Sequence, residues 1–492
     1  MTPRSISSAS LLRQLGGWRD DERAGAGGDP LYVQLADAIR LLVLDGRVPL
    51  DVRLPGEREL ATVLGVSRTT VSTAFARLRD QGYLVSRHGS GSRTSVPSGT
   101  GVRPVGGLVA DDDASDAIDL GAAALPAAPG VHAAYASALA ALPAHLPGHG
   151  YQALGVPELR RALADRYTAR GLPTTPDQLL VTSGAQHAFV LVLQLLAGPG
   201  DRILIDHPTY PHAIDAIARA SCRPVPVGLP ARGWDVEGVE AALQQTGPRL
   251  AYLLPDFHNP TGRVMDPETR ARIAAAAART RTTVVVDETM VDLGLDGPPP
   301  APFAVHDPTG STVITIGGTS KSFWGGMRTG WVRADVATIS GLAGVRPGLD
   351  LGTPILEQLA SAVLLQDPEP GLVERRAVLA EQRDRLTAAL DTHLPAWRVE
   401  RSPGGNSLWI ELPAPVSSAL TASAERHGVR IVAGPRFGVD GAFERFLRLP
   451  YTRPAAELEE AVVRLAAAYA DLRVPVAAVA AGAPVALGGA VV

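Results

Sequence analysis

The sequence predicts an α/β protein in two parts: a short, mainly helical module, then a much larger domain with a mainly parallel sheet and helices on both faces. Three observations carry this. From about residue 157, short β-branched runs alternate with helical patterns. Residues 29 to 95 hold three helix-spaced apolar stripes and two short strands. Between the two parts, VPSGTGVRPVGGLVADDDASDA (residues 96 to 117) is rich in Gly, Pro, Ser and acids, with little apolar periodicity, and reads as a flexible linker.

At 492 residues the chain is too long for one ordinary core. Hydrophobic residues at 46% and charged residues at 20% describe a soluble globular protein, and a net charge of -4 carries no global nucleic-acid signature, so any DNA contact must be local. A single cysteine, Cys222, excludes an intramolecular disulfide and suits a reducing cytoplasm. Residues 1 to 28 form an N-terminal extension without a secretory pattern. Residues 473 to 492 are uncharged after Arg473 and rich in Ala, Val and Gly with two prolines, which predicts a disordered tail rather than a membrane span. No metal site is expected.

In the first module, Leu35, Ile39 and Leu42 share one helix face, Leu60 and Leu64 a second, and Val71, Phe75 and Leu78 a third. The turn Gly65 to Ser67 separates the last two helices, and the Ser67 hydroxyl is placed to cap the third. Opposite its apolar stripe, that helix opens with Arg68, Thr69 and Thr70, which suit the end a recognition helix presents to bases and phosphates. Arg58 on the preceding helix is in reach of a nucleic-acid backbone. Tyr83 to Arg93 reads as two short strands around a basic glycine turn with His88 and Gly89, a wing. Residues 1 to 95 carry 13 arginines against 10 acids, a local charge of +3 in a negative chain.

In the large domain, Leu179–Thr182, Ile203–Ile205, Ala251–Leu254, Thr283–Asp287 and Thr312–Ile316 read as buried strands, and Pro157–Tyr167 as a helix with Leu159, Leu163 and Tyr167 on one face. Ligands then belong at the carboxyl ends of the strands, where polar groups gather. Ser183, Gly184, Ala185 and Gln186 turn a strand into a helix whose amides and dipole face an anion. Asp287 ends a buried strand, where its charge is costly unless it meets a cation such as a protonated pyridine. Tyr210 offers a ring face, Asn259 a donor to a ring oxygen, and Arg328 a fork for a phosphate. Singly, each has an ordinary structural explanation.

Lys321, in GGTSKSFWGGMRTGW, breaks the balance: the Lys and Arg total of 46 is one lysine and 45 arginines. Sites needing only positive charge have gone to arginine, so this position needs an amine, which can lose its proton and form an imine with a carbonyl. Anion turn, carboxylate, stacking ring and imine-forming amine together suit pyridoxal 5′-phosphate.

PLYVQLADAIR, RLPGERELA, GVSRTTVSTAFARLRDQGYL and RHGSG, in order over residues 29 to 95, resemble the GntR family of winged helix-turn-helix regulators. The resemblance implies contacts with double-stranded operator DNA from Arg58, Ser67, Arg68, Thr69, Thr70, His88 and Gly89. SGAQ, HPTY, NPTG, VVVDE and TSK…GMR, over residues 118 to 472, resemble fold-type I aminotransferases, which implies a smaller C-terminal α+β subdomain. By that resemblance Lys321 forms the internal aldimine, Asp287 binds the pyridine nitrogen, Asn259 the phenolic oxygen, and Tyr210 covers the ring. Ser320, Arg328 and the Ser183 to Gln186 turn hold the phosphate, and Arg448, in FLRLPYT, grips an effector carboxylate. The sequence departs in three places: Thr289 or Met290 stands where the family has a tyrosine, Gly318 replaces a hydroxyl residue, and Gly56 replaces a serine.

The two halves together resemble the MocR subfamily of regulators; the aminotransferase resemblance implies a homodimer, and the lone cysteine a cytoplasmic setting. The subfamily resemblance implies a transcription regulator in which the cofactor, or its exchange with an amino acid or amine, alters operator binding. The alternative is a working aminotransferase with an attached DNA-binding domain.

Overall fold

The computed structural model describes residues 5–16, 18–19, 30–44, 47–87, 91–95 and 117–472. The expected tail, nearly all of the expected linker, and the wing residues His88 and Gly89 lie outside the described residues.

The N-terminal module begins with an unanticipated element, helix α1 (Ser8–Leu15), capped by the Ser7 hydroxyl. Next come α2 (Leu31–Leu44), α3 (Glu57–Leu64) and α4 (Arg68–Asp80), then the antiparallel pair β1 (Leu84–Arg87) and β2 (Gly91–Thr94). Leu11 and Leu15 of α1 are buried with Leu35, Ile39, Leu60, Leu64, Val71, Phe75 and Leu78, so the stripes read from the sequence meet in one core. Ser8 donates to Glu59 at 2.7 Å, and Arg53 bridges both Ser5 and Arg93, fastening the extension to the wing. Gly65 ends α3 at φ 65°, a left-handed turn that suits glycine.

The large domain opens with the short strand β3 (Ile118–Asp119), followed by α5 (Val131–Ala141) and α6 (Pro157–Ala169). Strand and helix then alternate: β4 (Leu179–Thr182), α7 (Ala185–Leu196), β5 (Arg202–His207), α8 (Pro211–Arg219), β6 (Arg223–Gly228), α9 (Val236–Thr246), β7 (Leu250–Leu253), α10 (Pro267–Thr280) and β8 (Thr283–Asp287). After β9 (Val313–Gly318) come α11 (Thr319–Ser322), β10 (Gly330–Arg333), α12 (Val336–Val345) and α13 (Ile355–Gln366). Among the described residues these strands make a seven-stranded sheet, ordered β4-β10-β9-β8-β7-β5-β6. β10 runs antiparallel to both neighbours, and the other pairs are parallel. Two separate apolar clusters, around Leu204, Ala251 and Val284 and around Ile205, Tyr252 and Val285, cover the two faces, as β-branched strands buried on both sides require.

Helix α14 (Glu369–His393) leads to a smaller α+β lobe of β11 (Arg398–Val399), β12 (Ser407–Glu411), α15 (Ser417–Arg426), β13 (Val429–Arg430), β14 (Val432–Ala433), β15 (Phe446–Pro450) and α16 (Ala455–Asp471). Strand β3 returns here to pair in parallel with β13. The N-terminal module rests on this lobe. Arg40 of α2 pairs with Glu425 of α15 at 3.1 Å, and the end of α1 meets Gly441, where a Cβ would stand 2.9 Å from the Arg13 carbonyl oxygen.

Because Leu11 is fully buried, Leu11→Ala is expected to destabilise the module by about 2–5 kcal/mol. Urea unfolding followed by circular dichroism checks this; an unchanged transition would mean that α1 is not part of the folded core.

Candidate functional site: a polar pocket at the strand ends

The carboxyl ends of β4, β5, β7, β8 and β9 open into one cavity of about 280 Å³. Its wall includes Gly184, Ala185, Gln186, Tyr210, Asn259, Asp287, Ser320, Lys321, Arg328 and Arg448. The register of β10 explains how distant loops meet: Gly330 lies opposite both Thr182 and Gly318, so the turn after β4 and the Lys321 loop after β9 sit side by side. Ser183 is the one residue expected here that is not on the wall; it contributes its carbonyl oxygen, which accepts from Arg328 Nη2 at 2.9 Å. Gly184, at φ 98°, allows this approach, since a Cβ there would stand 2.8 Å from Arg328 Nη2. Arg328 thus lies against the amino end of the twelve-residue helix α7, and both present positive potential to an anion.

Asp287 is buried at the end of β8. Its Oδ2 accepts from the Tyr252 hydroxyl at 2.8 Å, and its Oδ1 from the Thr289 amide at 2.9 Å and from the Thr289 hydroxyl. Burial raises the carboxyl's pKa, against these hydrogen bonds. Thr289 is therefore turned to the carboxylate, and Met290 leaves an apolar surface on the wall. Tyr252 was not legible as a site residue, because a tyrosine in an apolar strand reads as core. The buried Asn259 Oδ1 meets no protein donor, which leaves this amide free to serve a ligand.

Lys321 Nζ donates to the Ala123 carbonyl at 2.6 Å. Burial, and next the charge of Arg448, lower its pKa to about 8, while Asp287 opposes the shift. Arg448 is buried, donates to the Gly121 carbonyl, and has its own pKa lowered to about 10 by burial.

On the DNA module, Arg58, Ser67, Arg68 and Thr69 are exposed, the last two on the first turn of α4. The Ser67 hydroxyl accepts from the Thr70 amide at 3.0 Å and lies 2.8 Å from the Thr70 hydroxyl, so this pair builds the cap at the helix end. Among the described residues no cluster of His, Cys, Asp and Glu is placed to hold a metal ion, and no helix is long and apolar enough to cross a membrane.

Residues 117–465 match the family model of aminotransferase class I and II, and residues 31–93 that of bacterial regulatory proteins, gntR family. The chain belongs to the aminotransferase class I and II family and carries a GntR-type DNA-binding domain. That pairing is the one of the MocR subfamily. The chain is 27% identical to the uncharacterized HTH-type transcriptional regulator YdcR of Escherichia coli, over 88% of this chain and 97% of that one. It is 28% identical to the probable rhizopine catabolism regulatory protein MocR of Rhizobium meliloti, over 75% and 78%. Among solved structures, the α-aminoadipate aminotransferase LysN of Thermus thermophilus, complexed with N-(5′-phosphopyridoxyl)-L-leucine, superposes with a TM-score of 0.65 at 28% identity, covering 73% of this chain and 96% of that one. The fold-type I aminotransferases related to this domain depend on pyridoxal phosphate. The pocket fits that group: it holds a buried carboxylate in want of a cation, the Asn259 amide on its wall, an anion-facing helix end and an amine of lowered pKa.

A lowered pKa leaves more of the amine neutral, and therefore nucleophilic, at a given pH. Trinitrophenylation of apoprotein Lys321, read by peptide mass spectrometry, is expected to rise through a midpoint near pH 8. A midpoint above pH 10 would mean that burial does not tune this amine.

Proposed function

We propose that the chain is a pyridoxal-phosphate-dependent transcription regulator, in which occupancy of the pocket sets the affinity of the N-terminal module for operator DNA. The observation that carries this reading is that one chain joins an exposed helix-turn-helix to a pocket containing its single lysine. When bound, pyridoxal phosphate supplies an aldehyde that condenses with amines and a ring that withdraws electrons. Lys321 Nζ holds it covalently. Asp287, kept in place by Tyr252 and Thr289, keeps the proton on the ring nitrogen. Asn259 serves the phenolic oxygen, and Tyr210 covers the ring. Arg328, Ser320 and the Ser183 to Gln186 turn hold the phosphate, and Arg448 receives the carboxylate of an amino-acid effector. Met290 gives no hydrogen bond where the family's tyrosine would, which favours binding over rapid proton transfer.

On the DNA side, Arg58, Arg68 and Thr69 face the duplex from the α3–α4 corner, and Ser67 and Thr70 present the helix end. We assign the chain to the cytoplasm, where its DNA lies, and to a homodimer. Exposed Leu139, Leu146, Tyr151, Leu349 and Leu351 lie near the packed helices α5 and α13 and suit a second copy. The complete set Lys321, Asp287, Asn259 and Arg328 also favours a second reading, an active aminotransferase. Full conversion of cofactor absorbance by an amino acid, followed by turnover with a keto acid, would establish it.

Two measurements test the main reading. Fluorescence anisotropy with operator DNA is expected to give different affinities with and without pyridoxal phosphate, a difference that Lys321→Ala abolishes; equal affinities would count against it. Arg68→Ala is expected to weaken operator binding by about 1–3 kcal/mol while leaving cofactor absorbance unchanged.

A further inference from the structure

Two cationic groups of the pocket are tied to one stretch of backbone. Lys321 Nζ donates to the Ala123 carbonyl at 2.6 Å, and the Arg448 guanidinium donates to the Gly121 carbonyl. Asn406 Nδ2 donates to Ala123 as well, at 3.0 Å, and Asp119 Oδ1 accepts from the Gly121 amide at 2.7 Å, which fixes the shape of the turn. Ala123, Ala124 and Leu125 form part of the cavity wall. Just upstream, Ile118 donates to the Gly428 carbonyl at 2.9 Å and Leu120 to the Arg430 carbonyl at 2.8 Å, the β3–β13 pairing. β13 follows α15 across only His427 and Gly428, and α15 carries Glu425, the partner of Arg40 in the DNA-binding module.

We propose that residues 119–125 form a strap that a ligand carboxylate releases, and that this release reaches the DNA-binding module through β3, β13 and the α15–α2 contact. The proposal rests on the pocket reading above for the identity of the occupant. Gly121 offers Arg448 only a neutral acceptor, whereas a carboxylate offers a charge-assisted, two-oxygen partner, roughly twice as strong. Once the carboxylate has taken Arg448, the buried Gly121 carbonyl has lost its donor, and a buried unpartnered carbonyl is unfavourable enough to move the strap. A cofactor on Nζ would take one of the two donors from Ala123, leaving Asn406 Nδ2 as its remaining partner. Because Ile118 and Leu120 are bonded to the ends of β13, displacement of the strap pulls on the segment that follows α15. The ligand class follows: an amine alone leaves Gly121 tied to Arg448, so the releasing ligand carries a carboxylate together with the amine that addresses the cofactor.

The test is hydrogen exchange, read by mass spectrometry on the full-length holoprotein, alongside operator anisotropy. The probes are the common L-α-amino acids, with propylamine as the control lacking a carboxylate. At least one amino acid is expected to speed exchange across residues 119–125 and shift operator affinity by ~5-fold or more, while propylamine does neither. Arg448→Gln is expected to exchange fast across the strap without ligand. Glu425→Ala is expected to keep the strap response but lose more than half of the operator response. An Arg448→Gln strap as protected as wild type, an undiminished operator response in Glu425→Ala, or no strap response to any amino acid at millimolar concentration overturns the proposal. A holoprotein that never develops cofactor absorbance would instead sink the pocket reading, leaving exchange in Arg448→Gln to judge the strap.

Discussion

A buried carboxylate at the carboxyl end of a central strand is unfavourable unless a cation meets it, and Asp287 occupies such a position on the wall of the cavity. The Tyr252 and Thr289 hydrogen bonds orient it without neutralising it. Under the proposed reading its complement is a protonated ring nitrogen, and the groups that would hold the rest of that molecule line the same cavity. The turn after β4 is joined to Arg328 through the Ser183 carbonyl, and the Lys321 amine lines the same cavity. The amine's own pKa is lowered by burial and by Arg448, which keeps it reactive near neutral pH. A guanidinium could not take the role proposed for this amine, and every other residue in the chain's Lys and Arg total is arginine.

The second constraint is connectivity. The backbone that leaves the linker first pairs with the small lobe and then crosses the pocket, so the route from module to pocket is also a structural member of both. The module itself sits on α15 by an ion pair and on the Gly441 loop by close backbone approach. One partly exposed ion pair is weak, and a weak contact suits the proposed response of the module's placement to a ligand worth a few kcal/mol.

Much of this was legible in the sequence, because it rests on periodicity and on polar residues at strand ends. The stripes Leu35/Ile39/Leu42 and Val71/Phe75/Leu78 met in one core, and Asp287, Asn259, Tyr210, Lys321, Arg328 and Arg448 met in one cavity. Strand limits shifted by a residue or two: β9 runs on through Gly317 and Gly318 because β10 pairs with it there. Helix α1 escaped notice because eight residues make a marginal helix alone and its Leu11 and Leu15 gain meaning only against α2 and α3. The strap was illegible for another reason. Gly121 and Ala123 act through backbone carbonyls, and small side chains give no signal of what the main chain bonds.

The central claim is that the lone lysine carries the cofactor. Borohydride reduction of holoprotein, followed by peptide mass spectrometry, tests it most directly. The account requires a single phosphopyridoxyl adduct, on the peptide containing Lys321, and its loss in Lys321→Ala. An adduct elsewhere, no adduct at all, or undiminished cofactor affinity in that variant would contradict it.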